Sequence, residues 1–157
     1  MSLLLKDIET IQNNGKVSKY TNACFWISLK HNLRKLGIRT KVSQLRKIAS
    51  YSGGKNEMLD FSEYKHKEEV DKVLDHFNIA VALFVVRNSN TISHVSLMGN
   101  TNNRIILPIL YYEFTHFEAI INHPLRYGIC GSNSLNQKHY FSLPIVTLST
   151  CEKKSQE

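Results

Sequence analysis

Thr21-Asn22-Ala23-Cys24-Phe25-Trp26-Ile27-Ser28-Leu29 places a cysteine where a polar loop turns into an amphipathic helix. From Cys24 onward, Trp26, Leu29, Leu33 and Leu36 recur at helical spacing, and Gly37 is suited to ending the helix. The unpaired N–H groups of a first helical turn favour an anion, so this position predicts a thiol that ionises more easily than usual. The same N–H groups can bind a developing oxyanion. A nucleophilic thiol needs a base, and Phe114-Thr115-His116-Phe117-Glu118-Ala119-Ile120 offers a histidine with a carboxylate two residues later. On a strand that step keeps both side chains on one face, so Glu118 can hold the His116 imidazole in one tautomer and complete a Cys-His-acid arrangement. The competing reading of Cys24 is simple packing, since free cysteine is among the most buried residue types.

The chain has 157 residues and 42% hydrophobic content, enough for one domain with a proper core and too little for two. We expect a single domain over residues 1–151 and a polar tail over 152–157. No apolar run approaches the roughly 20 residues of a membrane span, and Leu3-Leu4-Leu5 is followed at once by Lys6, Asp7 and Glu9, so neither signal peptide nor anchor is expected. Cys24, Cys130 and Cys151 are odd in number and scattered, which makes a poor disulfide framework and gives no metal-ligand spacing. A reducing compartment and no metal or cofactor are expected. The net charge of +7 invites a nucleic-acid reading. No nucleic-acid motif accompanies it, however, and Lys30, Arg34, Lys35, Arg39, Lys41, Arg46 and Lys47 fall on helices, where charge usually forms a solvated face. No specific nucleic-acid partner is expected.

Leu3, Leu4, Ile8 and Ile11 have helical spacing, and Gln12 to Lys19 reads as a loop. After the Cys24 helix, Thr40 or Ser43 is placed to open a second helix carrying Val42, Leu45, Ile48 and Ala49, closed before Gly53-Gly54. A third runs from about Lys65 to Phe77 with Val70, Val73, Leu74 and Phe77 on one face. Ile79 to Val86 is then a continuous apolar run rich in β-branched residues, expected of a strand buried on both faces. Further strands are predicted at Ile92 to Met98, Arg104 to Tyr111 and His116 to Ile121, with Tyr127 to Cys130 and Lys138 to Thr147 flanking the sheet. Helices first and strands after describe an α+β domain.

These residues resemble the ovarian-tumour (OTU) branch of papain-like cysteine proteases, over roughly Tyr20 to Ile121. The likeness rests on the Asn22-Ala23-Cys24-Phe25-Trp26 block opening a helix, the Glu68-Glu69-Val70 helix feeding the Ile79 to Val86 strand, and the closing His116-Phe117-Glu118-Ala119-Ile120 strand. It implies a papain-like fold of N-terminal helices on a mostly antiparallel sheet. It also implies a deubiquitinase, monomeric and cytoplasmic, that cleaves isopeptide or peptide bonds after the C-terminal Gly-Gly of ubiquitin or a related modifier. Cys24 would be its nucleophile, His116 its base, and backbone N–H groups of Asn22, Ala23 and Cys24 its oxyanion hole, with Trp26, Tyr112 and Phe117 lining the substrate groove. Two departures mark a divergent member, viral or bacterial, whose compartment would be the host cytoplasm. Thr21-Asn22-Ala23 stands where the family has Asp-Gly-Asn. Glu118 stands where it has Asp or Asn, which leaves Asn22 as a substitute polar partner for His116.

Two rivals remain on the sequence. Ser93-His94-Val95-Ser96-Leu97-Met98-Gly99 resembles the histidine strand of NlpC/P60 cell-wall peptidases, which would keep Cys24 and make His94 the base. The altered segment before Cys24 equally fits a papain-fold ubiquitin-binding module without turnover.

Overall fold

The computed structural model describes residues 4–87 and 90–121. After a 3-10 turn at Leu5–Asp7 come β1 (Thr10–Ile11), α1 (Cys24–Lys35), α2 (Val42–Ala49), α3 (Tyr64–Phe77), β2 (Ile79–Val86), β3 (His94–Met98), β4 (Ile105–Tyr112) and β5 (His116–Ile120). The strands form one sheet in the order β1-β5-β4-β2-β3. Pairings β1–β5, β4–β5 and β2–β3 are antiparallel and β2–β4 is parallel, so the sheet is mixed and mostly antiparallel. With the three helices packed on it, this is the α+β architecture expected.

All of β2 is buried, and the reason is visible in its neighbours. Ile79, Val81, Leu83 and Val85 join the core under the helices, with Leu29, Leu33, Leu45, Val70, Val73 and Leu74. Ala80, Ala82, Phe84 and Val86 face the other way, with Ile106, Leu110 and Ile120, and are covered in part by Leu5 and Ile8 of the N-terminal segment. A strand covered on both faces has no polar face to alternate with, hence the unbroken apolar run. α1 ends at Gly37, whose φ of 82° lets its N–H reach Arg34 O while the Ile38 N–H reaches Leu33 O. Two side chains tie α1 to the sheet: Asn32 Nδ2 donates to Pro108 O at 2.9 Å, and Lys35 Nζ donates to Ile120 O. Gly99, at φ 85°, starts the turn from β3 to β4. A Cβ there would lie 3.0 Å from Leu74 Cδ1, so the turn needs glycine both for its backbone and for its clearance from α3.

Two expectations need correction, and a third falls outside the described residues. The N-terminal apolar residues do not make a helix: only Leu5–Asp7 turns, and Thr10–Ile11 pairs with β5 instead. So short a helix is marginal in water, whereas the open edge of β5 offers partners for the backbone. Neither Thr40 nor Ser43 caps α2; its N-cap is Lys41 in extended conformation, with no side-chain cap. The strands expected at Tyr127 to Cys130 and Lys138 to Thr147 lie outside the described residues, as do Cys130 and Cys151.

Candidate active site

Cys24 is the first residue of α1, and the turn before it is held from two sides. The Ala23 N–H donates to Gly15 O at 2.9 Å, with Gly15 at φ 74°. Asn22 is also left-handed, at φ 52°, and its Nδ2 donates to Asn56 O at 2.8 Å. Thr21 adds an Oγ1 bond to Asn56 Oδ1 and a backbone bond to Lys55 O. On the inner side, Ser28 Oγ donates to Cys24 O at 2.7 Å. The cysteine is thus fixed by backbone contacts that span loops on either side of it.

β1 pairs with β5 only at Ile120 and Ala119, so the same edge of β5 is open at Phe117. There the Phe117 backbone turns outward: its C=O accepts from Asn13 Nδ2 at 3.0 Å, and its N–H lies near enough to the Cys24 thiol to favour the ionised sulfur. The thiol therefore lies beside the backbone of the residue between His116 and Glu118. His116 Nε2 lies 3.1 Å from Glu118 Oε2, and Glu118 Oε1 accepts from Thr10 Oγ1 at 2.6 Å. The carboxylate is held from both ends, and Nδ1 is the imidazole nitrogen left without a partner among the described residues. Tyr112, opposite His116 in the β4–β5 register, lies ring to ring with it at 6.3 Å and 27°.

The thiol's ionisation departs from the expectation. Burial pushes it up from the ordinary thiol value of 9.0. The N–H groups of Phe117, Cys24 and Phe25 pull it down, as a helix N-terminus should, but by less; the Glu118 charge adds to the rise. At 3% exposure, desolvation outweighs the helix field. The rate of iodoacetamide alkylation of the ligand-free protein at Cys24, followed by intact mass, should accordingly keep climbing past pH 9.0. A plateau reached by pH 7 would show the helix terminus winning over burial.

Several expected roles change in the structure. The Ala23 N–H is committed to Gly15 and is not free for an oxyanion; those of Asn22 and Cys24 have no backbone acceptor among the described residues. The Asn22 side chain serves Asn56, so Glu118 and not Asn22 is the partner of His116. Trp26 is 1% exposed and packs edge-on against Phe25 and Tyr51, so it is core and lines no groove. The Phe117 ring is fully buried, stacked on Tyr111 at 4.3 Å; only its backbone reaches the site. Tyr112 stays half-buried beside His116. His94 is exposed on β3 at the far edge of the sheet, three strand spacings or about 14 Å from β5. It cannot serve a thiol that lies beside β5. Thr10, Asn13, Gly15 and Asn56 were not singled out by the sequence, because their partners lie between 8 and 108 positions away.

A cleft of about 220 Å³ opens next to the site, lined by Met58, Leu59, Asp60, Tyr111 and Phe114. Burial pushes the Tyr111 phenol up against the pull of the Phe114 N–H, and the charges of Glu113, Asp60 and Cys24 reinforce the rise. No group of three or more potential metal ligands occurs among the described residues, and no described helix is long and apolar enough to cross a membrane.

Fold and site together define an α+β domain that presents a thiol at a helix N-terminus to a strand carrying a histidine–carboxylate pair. No family model and no curated protein matches the chain. Among solved structures it is similar to the Hazara virus OTU bound to ubiquitin, with 19% identity over 77% of this chain and 86% of that one and a TM-score of 0.49. It is also similar to an OTU deubiquitinase from Wolbachia pipientis wMel bound to ubiquitin, with 12% identity, coverage of 74% and 97%, and a TM-score of 0.43. A further structure of an OTU deubiquitinase from Wolbachia pipientis wMel gives 16% identity, coverage of 71% and 91%, and a TM-score of 0.35.

Proposed function

We propose that this chain is a papain-like cysteine protease of the OTU type that cleaves after the C-terminal Gly-Gly of ubiquitin or a ubiquitin-like modifier. The observation that carries the reading is the His116–Glu118 pair, 3.1 Å apart on β5, with the Cys24 thiol at the start of α1 beside the Phe117 backbone between them. His116, its Nε2 held by Glu118, takes the thiol proton at Nδ1; the sulfur attacks the carbonyl carbon, and the oxyanion meets the N–H groups of Asn22 and Cys24. Collapse breaks the C–N bond, and the leaving amine takes the proton back from the imidazolium. Water, deprotonated by the same imidazole, then attacks the thioester carbon; the C–S bond breaks, the acyl group leaves as a carboxylic acid, and the imidazolium returns the proton to the Cys24 sulfur. A thiol that is protonated at rest makes the base indispensable. The Met58–Asp60 cleft beside Tyr111 receives the chain that precedes the Gly-Gly, where Asp60 supplies a carboxylate for a basic side chain.

Burial of Cys24 favours a second reading, a ubiquitin-binding module without turnover. Ubiquitin carrying a C-terminal electrophile separates the two. Intact mass and peptide mapping should show one adduct, at Cys24, under reducing conditions; an unlabelled protein that still binds ubiquitin would establish the module. Parallel probes built on related modifiers report the preferred one.

A further inference from the structure

Between Glu9 and Glu57 the chain has ten Lys and Arg residues, half of its 20, and not one Asp or Glu. The fold gathers part of this set on the face where α1 meets α2. Lys30, Arg34, Arg39 and Thr40 line a groove of about 180 Å³, and Val17, Ser18, Lys19, Tyr20, Lys30, Lys41, Val42 and Ser43 line a second of about 580 Å³. Lys30 lines both, so the two adjoin. Lys19, Arg34, Arg39 and Lys41 are exposed, and none of them has a carboxylate partner among the described residues. Thr40 is more than nine-tenths buried in the smaller groove, its hydroxyl without a hydrogen-bond partner there. The N-terminus of α2 opens beside it with no side-chain cap. His31, on α1, is held below its ordinary value by burial and by the charges of Lys30, Arg34 and Lys35.

We propose that this face binds the phosphodiester backbone of single-stranded nucleic acid without reading its sequence. The cations supply the phosphate contacts, and Ser18, Thr40 and Ser43 add hydroxyls of the kind that position a backbone. The shape decides between polyanions. A concave groove follows a strand, whereas a bilayer is flat and calls for apolar side chains to insert; among the described residues the exposed large apolar ones, Tyr64, Leu97, Phe114 and Ile121, all lie elsewhere in the chain. The proposal is independent of the proteolytic reading, since none of these residues belongs to the Cys24 site.

The test is fluorescence anisotropy with a labelled single-stranded oligouridine on the full chain over a series of salt concentrations. Neutralising about five phosphates predicts a slope of log K against log salt of roughly −3.5. Arg34→Gln, Arg39→Gln and Lys41→Gln combined should weaken binding at least tenfold and lower the slope by about 2. Lys65→Gln, Lys67→Gln and Lys72→Gln combined remove the same charge from exposed positions on α3 and should leave binding near that of the parent. Equal losses in both triple variants would reduce the effect to net charge and overturn the proposal. So would absence of binding at 0.15 M salt, or binding to phosphatidylserine vesicles in place of the oligonucleotide. Melting curves and Cys24 labelling by the ubiquitin probe, unchanged in both variants, show that neither fold nor site was disturbed.

Discussion

Replacing Cys24 by alanine is expected to abolish turnover of a fluorogenic ubiquitin C-terminal amide, a loss of about 10⁴-fold or more in kcat/KM. The substitution removes only the sulfur from a packed position, and the contacts that set the helix start are made by backbone atoms and by the side chains of Asn22 and Ser28. The variant should therefore fold and melt close to the parent. It should also retain affinity for ubiquitin, which makes it a trap for the substrate complex. Activity within tenfold of the parent would place the nucleophile elsewhere.

His116→Ala should cost about 10²–10⁴-fold in kcat, since a thiol that burial keeps protonated cannot reach its reactive form without a base. His94→Ala, at the opposite edge of the sheet, should leave kcat within about twofold. The reverse result would overturn the assignment of the base. Thr10→Val lies between these. It removes a hydrogen bond to the Glu118 carboxylate and should lower kcat about tenfold, with the acid limb of the pH–rate profile displaced and KM little changed. A fall in stability alone, at an unchanged profile, would make Thr10 merely structural.

Much of this arrangement is legible along the chain. Apolar spacing from Cys24 to Leu36, with Gly37 after it, gives α1 because a helix buries a stripe on a sheet and glycine accepts the closing φ of 82°. The Ile79 to Val86 run gives β2 to the residue, because a strand covered on both faces tolerates no polar interruption. A two-residue step on β5 brings His116 to Glu118 by geometry alone. What pattern reading misses is whatever depends on distant partners. Thr10 and Asn13 look like parts of a weak helix and a loop, yet one holds Glu118 from 108 positions away and the other caps the Phe117 carbonyl from 104. Trp26 can be read as groove, although a Trp two residues into a helix is more often core, and it is Phe25 and Tyr51 closing around it that decide for core. The thiol's ionisation is misjudged for a related reason: the helix field is local and visible, whereas desolvation comes from the assembled core.

The pairing of β1 with β5 joins Thr10 to Ile120 across almost the whole described chain. During synthesis, with the N-terminal segment emerging first, α1 and its cysteine leave the ribosome long before the strand that carries the base. Loop closure over so many residues comes late, so a partly made chain holds its sulfur without an acceptor for the proton. With His116 as the proposed base, translation order would keep the nascent protein chemically silent until β5 is in place.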